Sequence, residues 1–147
     1  MIVNSYLYKN NAAILVNTNQ PLEVKKIYTK KINDYQILVK VKYTFVCGSQ
    51  LNEIFGNKGK DKYLPHTLGH EGVGKIIQVG KNVKRFKRGQ SVIISWIRNS
   101  KKKEVSNPEH IDLGNKKINS GPVSTFLKYA IVSERRIYKI PKKKIKK

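Results

Sequence analysis

At 147 residues the chain has the size of one domain, and its 39% apolar residues, gathered into short runs, are enough for a folded core. No stretch approaches the roughly 18 apolar residues of a membrane-spanning helix, and residues 1–8 lack the basic start and apolar centre of a secretory leader. Cys47 is the only cysteine, which excludes an internal disulfide and a cysteine-rich zinc knuckle; the default compartment is the cytoplasm. The net charge of +22, from 31 Lys+Arg against 9 Asp+Glu, ordinarily points to nucleic acid or another polyanion. Here the excess is lysine, spread along the chain and accompanied by Ile and Asn, a bias that A/T-rich codons impose on any protein. Arginine, suited to bidentate phosphate and base contacts, is scarce, which argues against a nucleic-acid partner.

In chain order, residues 1–9 read as a short lead-in and 11–16 as a buried strand closed by a turn at 17–21. Residues 22–28 alternate as a half-exposed strand with Leu22, Val24 and Ile27 inward. The clearest strand is 35–45, with Ile37, Val39, Val41 and Tyr43 on one face. A short helix follows around 51–56, with Ser49 near its cap and Gly56 ending it, and then a charged loop over 57–63. Strands are expected again at 75–79 and 91–97. Residues 98–120 are polar, Lys- and Asn-rich, and expected to form an exposed loop. Order resumes over 121–132, with Phe126, Tyr129 and Ile131 in a strand, and a last strand spans 136–140. Pro141 closes it before a lysine-rich tail at 142–147. About seven short strands separated by turns predict a mainly β fold, a barrel or sandwich with little helix.

The chemistry-bearing stretch is Leu68-Gly69-His70-Glu71-Gly72-Val73-Gly74, followed by Gly80 and Val83. Cys47 and His70 are zinc-ligand types placed where strands meet loops, but two ligands so far apart do not define a metal site by spacing alone. Taken singly, Cys47 reads as a small buried hydrophobe and His70 as a hydrogen-bonded structural histidine. His66 reads as a packing or surface residue, with a place lining the cleft as the alternative, His110 as solvated, and Trp96 as core or lobe packing.

Cys47-Gly48-Ser49-Gln50-Leu51, followed by Gly69-His70-Glu71-Gly72-Val73-Gly74, Gly80 and Val83, resembles the zinc-containing medium-chain dehydrogenases. This is the alcohol, sorbitol and threonine dehydrogenase superfamily, and the similarity lies in its N-terminal GroES-like catalytic domain, over about residues 10–141. The resemblance implies a mainly β, partly open GroES-like barrel with short helices. It implies Cys47 and His70 as the first two ligands of a catalytic zinc and Glu71 beside the metal as an exchangeable ligand. It implies that Ser49 hydrogen-bonds a small alcohol or polyol substrate and starts a proton relay.

Departures accompany the match. Gln50 stands where the family usually has an Asp that holds the zinc-bound histidine, and Asn52 where many members have a titratable His. The family's structural zinc needs four cysteines, and 98–120 has none, so a polar loop is expected in place of that lobe. The third catalytic ligand normally follows the last barrel strand and is not found here. No βαβ pattern or Gly-x-Gly-x-x-Gly loop appears, so NAD(P) would bind only through a domain outside this chain. The resemblance therefore implies half an active site: a split product, fragment or relic, or a subunit needing a separate Rossmann-domain polypeptide. It also predicts exposed apolar surface beside Cys47 and His70, where such a domain would dock. The competing reading is a non-enzymatic basic β-barrel that binds nucleic acid or another polyanion, supported by the basic run at 81–88 and the tail.

Overall fold

Short β-branched runs punctuated by Asn, Gly and Pro build ten strands, one short α-helix and a 3-10 turn at Glu134–Arg136 among residues 6–101 and 105–140, which a computed structural model describes. One sheet runs in the order β4 (His66–Thr67), β1 (Tyr6–Leu15), β2 (Glu23–Lys30), β7 (His110–Asp112), β8 (Lys117–Ile118). The other runs β10 (Ile137–Lys139), β6 (Ser91–Ser95), β5 (Glu71–Val79), β3 (Gln36–Thr44), β9 (Tyr129–Ser133). All ladders between these strands are antiparallel. This is the mainly β, partly open barrel that the resemblance implies.

The two sheets are sewn together where β1 passes the start of β9. Ala12 bridges Leu127, the Ala13 N–H donates to the Phe126 carbonyl (2.8 Å), and the Lys128 N–H donates to the Asn11 carbonyl (3.0 Å). Asn10 adds a side-chain bond in each direction. Its Nδ2 donates to the Tyr129 carbonyl (2.8 Å) and its Oδ1 accepts from the Tyr129 N–H (3.0 Å). A buried amide used at both ends satisfies strand groups that no neighbouring strand reaches. Inside, Ile14, Ile27, Ile37, Ile76, Ile94 and Ile137 form one continuous apolar cluster.

Several expectations change in detail. The lead-in is partly strand, since β1 begins at Tyr6. In β2, buried Ile27 and Thr29 fix the odd positions inward, so Val24 falls on the other face and is 80% exposed. β3 is paired on both sides, by β5 and β9, and Ile37, Leu38 and Val39 are all fully buried, so successive residues on both of its faces are covered. Tyr43 lies beyond a register shift near the end of that strand and is exposed. The polar segment 98–120 is not all loop: β7 and β8 form a hairpin added to the edge of β2. Its turn is organised by Asp112, whose Oδ1 accepts from the Gly114 and Lys116 N–H groups (2.8 and 2.9 Å). The tail at 142–147 lies outside the described residues.

Candidate metal centre

Cys47 caps the short helix α1 (Gly48–Ile54), and the helix ends against Gly56 at φ +68°. The helix starts three residues earlier than the sequence suggested because Gln50, not Ser49, serves the cap. Gln50 is fully buried, and its Oε1 accepts from the Cys47 N–H (3.0 Å). The glutamine thus fixes the backbone of one prospective ligand instead of holding the histidine.

His70 enters from the loop between β4 and β5, and Gly69 determines how. Gly69 has φ +102°, and a Cβ built there would lie 2.3 Å from Thr125 Oγ1 and 2.7 Å from the Thr125 and Phe126 nitrogens. Those two N–H groups donate to the Leu68 carbonyl (3.0 and 2.9 Å), pressing the turn onto the 125–126 backbone. One residue on, the Glu71 carbonyl accepts from Thr44 Oγ1 (3.0 Å), Thr125 Oγ1 (3.1 Å) and the Phe45 N–H (3.4 Å). The His-Glu turn is therefore clamped to the end of β3, where Cys47 follows.

The result brings together two residues 23 apart, with Cys47 Sγ 4.0 Å from His70 Nδ1. Sulfur and nitrogen at zinc bond lengths on two corners of a tetrahedron would be about 3.6 Å apart. The pair needs to close by a few tenths of an ångström, within side-chain reach, so the donor set fits zinc as two of its ligands. Partial burial pushes the His70 pKa down, with Lys58 acting the same way and Glu53 and Glu71 opposing. A neutral imidazole with a free lone pair is the form a metal needs. Glu71 is exposed and, in this conformation, does not converge with Cys47 and His70 as a third ligand.

Beside this pair opens a cleft of about 350 Å³ whose walls include Glu53, Tyr63, His66, His70, Trp96 and Val123. Trp96 is 48% exposed and its ring centre lies 4.9 Å from that of His70. It is a cleft residue rather than core packing, held by Arg136, which donates to its carbonyl and sits over its ring. Ser49 is exposed on α1, and its Oγ accepts from Lys58 Nζ (2.9 Å). The same ammonium contacts Glu53 Oε2 (3.2 Å). Asn52 Oδ1 accepts from Asn57 Nδ2 (3.2 Å) and steadies the loop after the helix.

Of the two other histidines, His66 combines its packing and cleft-lining readings, while His110 departs from its own. His66 is buried in the cleft wall, with Nε2 2.8 Å from Asp61 Oδ2 and 3.6 Å from Glu53 Oε1. Burial works to raise the Asp61 pKa, but the Tyr63 N–H and His66 outweigh it and hold the carboxyl below its ordinary value. His110, expected in solvent, is 1% exposed because β7 pairs with β2, and its Nδ1 meets Thr29 Oγ1 at 3.0 Å. Burial pushes its pKa down to about 4. Sequence reasoning passed over Glu53 and Asp61. The one available signal was the four-residue spacing from Ser49 to Glu53, which puts both on one helix face.

Comparison with known proteins places the chain in a family and gives its fold close likenesses. The family described as "Alcohol dehydrogenase GroES-like domain" matches residues 33–142. An alcohol dehydrogenase of Geobacillus stearothermophilus is 35% identical over 86 residues, 58% of this chain and 25% of that protein. An NAD-dependent alcohol dehydrogenase of Sulfolobus acidocaldarius is 35% identical over 92 residues, 58% of this chain and 27% of its own length. The chain thus spans about a quarter of the length of these curated relatives. Among solved structures, an alcohol dehydrogenase zinc-binding domain protein from Burkholderia ambifaria superposes with a TM-score of 0.79 at 21% identity, over 92% of this chain and 43% of that one. Benzyl alcohol dehydrogenase from Acinetobacter calcoaceticus gives 0.75 at 23% identity, over 93% and 42%. These two likenesses bear on the fold, while the family match covers most of the sequence and both halves of the Cys47–His70 pair. The chain belongs to the alcohol dehydrogenase GroES-like domain family.

Proposed function

We propose that this chain is the zinc- and substrate-binding part of a zinc-dependent, NAD(P)-linked alcohol or polyol dehydrogenase-like oxidoreductase of the cytoplasm. The dinucleotide would come from a separate Rossmann-domain polypeptide or segment. The observation that carries the reading is the convergence of Cys47 Sγ and His70 Nδ1 at the edge of a cleft.

Cys47 and His70 would hold the ion, with Glu71 as an exchangeable ligand that swings in from the rim. Zinc held there supplies Lewis-acid polarisation of an alcohol or carbonyl oxygen. This chain's own residues do the rest. Leu68, Trp96 and Val123 give the cleft apolar wall against which a carbon skeleton packs, displacing water from the reacting centre. Ser49 accepts from Lys58, which leaves its own O–H free to donate and its oxygen able to take a proton from a substrate hydroxyl. The exposed position of Ser49 then lets that proton pass to solvent. Val46, Leu51 and Phe55, within eight residues of Cys47 and 64%, 43% and 54% exposed, would offer apolar side chains for a cofactor-bearing domain to cover.

Native mass spectrometry of the chain titrated with Zn2+ tests the site. One zinc ion fewer in Cys47→Ser and His70→Ala than in the wild type supports it. Retention unchanged in both variants would refute it. The basic-barrel reading draws no support from the fold, and no helix among the described residues is long and apolar enough to cross a membrane.

A further inference from the structure

We propose that Glu53, Asp61 and His66 form a second divalent-cation site, separate in its ligands from the Cys47–His70 pair. One potential ligand atom from each residue lies within 4.8 Å of the other two. The three come from different elements: Glu53 from α1, Asp61 from the loop after it, and His66 from β4. They sit between two hollows, since Glu53 and His66 line the cleft beside His70 while Glu53 and Asp61 line a neighbouring depression.

The orientation of His66 gives the cluster its direction. Its side chain is only 9% exposed, and Nδ1 lies 3.2 Å from the Thr67 carbonyl. A carbonyl oxygen can only accept, so Nδ1 carries the hydrogen, the arrangement in which a backbone carbonyl fixes a metal-binding imidazole. Nε2 then points at Asp61 Oδ2, 2.8 Å away, and Glu53 Oε1, 3.6 Å away. At 2.8 Å, Nε2 and Asp61 Oδ2 stand at hydrogen-bond length, and a divalent cation would take the place of the hydrogen between them.

The donor set suits a metal. One imidazole nitrogen and two carboxylate oxygens are a three-ligand set for Zn2+ or a similar first-row ion, with further positions open to water or a substrate oxygen. Zinc with N and O ligands wants edges of about 3.3 Å. The Nε2–Oδ2 pair lies inside that value and the longest edge outside it, and carboxylate rotation accommodates both. Asp61 is pre-set by its Oδ1, which accepts from the Tyr63 N–H (2.8 Å) and leaves Oδ2 for the ion. Lys58 takes Glu53 Oε2 and leaves Oε1 for the ion. A bound ion would tie helix, loop and strand together along one wall of the cleft.

The test uses the Cys47→Ser/His70→Ala double variant of the full 147-residue chain, so that only the new site remains. Calorimetric titration with Zn2+, paired with native mass spectrometry, should show one ion per chain. Glu53→Gln and Asp61→Asn in that background keep size and most hydrogen bonding, and each should weaken binding at least tenfold. His66→Ala should abolish it, and far-ultraviolet circular dichroism verifies the fold of every variant. No zinc bound by the double variant, or affinity unchanged by Glu53→Gln and Asp61→Asn, overturns the proposal and leaves a His66–Asp61 hydrogen bond without a metal. The two sites fail separately. One ion in both the wild type and the double variant removes the Cys47–His70 site and keeps this one, while one ion in the wild type and none in the double variant does the reverse.

Discussion

Replacing Gly69 by alanine strikes the turn that presents His70. Alanine at φ +102° costs about 1–3 kcal/mol in backbone strain alone. Its Cβ would also sit 2.3 Å from Thr125 Oγ1 and 2.7 Å from two backbone nitrogens, and the latter cannot rotate away. Relieving the clash separates the turn from residues 125 and 126, giving up two N–H bonds to the Leu68 carbonyl at about 1 kcal/mol each. The combined loss is about 3–5 kcal/mol, a large share of what a domain this size can spare. Urea unfolding followed by circular dichroism measures it. Gly48→Ala is the matched control, because Gly48 lies within α1 and nothing stands within 4 Å of its added Cβ. It should leave the midpoint unchanged or slightly raised. A Gly69→Ala midpoint within about 1 kcal/mol of wild type would refute the clamped turn.

Other outcomes follow from the same geometry. Asn10→Ala should cost about 2–4 kcal/mol in urea unfolding, because it strands the Tyr129 N–H and carbonyl where the sheets join. His110 holds a pKa of about 4 in the fold against 6.5 when unfolded. Between those values the unfolded chain binds more protons, so this residue makes stability fall as pH drops from about 6.5 to 4, by roughly 3 kcal/mol. Midpoints measured across that range should decline less steeply in His110→Gln than in wild type; equal slopes would contradict a buried neutral imidazole. Trp96 is the sole tryptophan and stacks near His70, so Co2+ at the Cys47–His70 pair should quench its fluorescence. Quenching should weaken in Cys47→Ser/His70→Ala, where only the Glu53, Asp61 and His66 group remains, with Glu53 and His66 in the same cleft.

The parts of the site legible in the sequence are those with local causes. The glycines around His70 mark a turn, and the alternation of β3 leads straight to Cys47, but the two were joined as a pair only through the resemblance to the zinc-containing medium-chain dehydrogenases, because nothing local links ligands 23 residues apart. The barrel was equally legible, because Ile37 to Val41 and Val92 to Ile94 carry their burial in their own composition. What stayed hidden depends on partners distant in sequence. The hairpin of β7 and β8 is polar and very short, and its order comes from pairing with β2 and from the Asp112 turn. Val24 is as apolar as Ile27, yet strand parity exposes it. Gln50 looked like a weakened histidine holder and instead secures the Cys47 backbone. Glu53, Asp61 and His66 follow no recognisable spacing, since a loop alone folds them onto one point.

The central claim is that Cys47 and His70 hold one metal ion together, and Co2+ absorption reads it directly. A cysteine-bound Co2+ gives an intense near-ultraviolet thiolate-to-metal band, whereas nitrogen and oxygen ligands give only weak visible absorption. The wild-type chain should develop that band on titration, Glu53→Gln and Asp61→Asn should keep it, and Cys47→Ser and His70→Ala should remove or strongly weaken it. Failure of the band to appear in the folded wild-type chain, or its persistence without His70, would contradict the account.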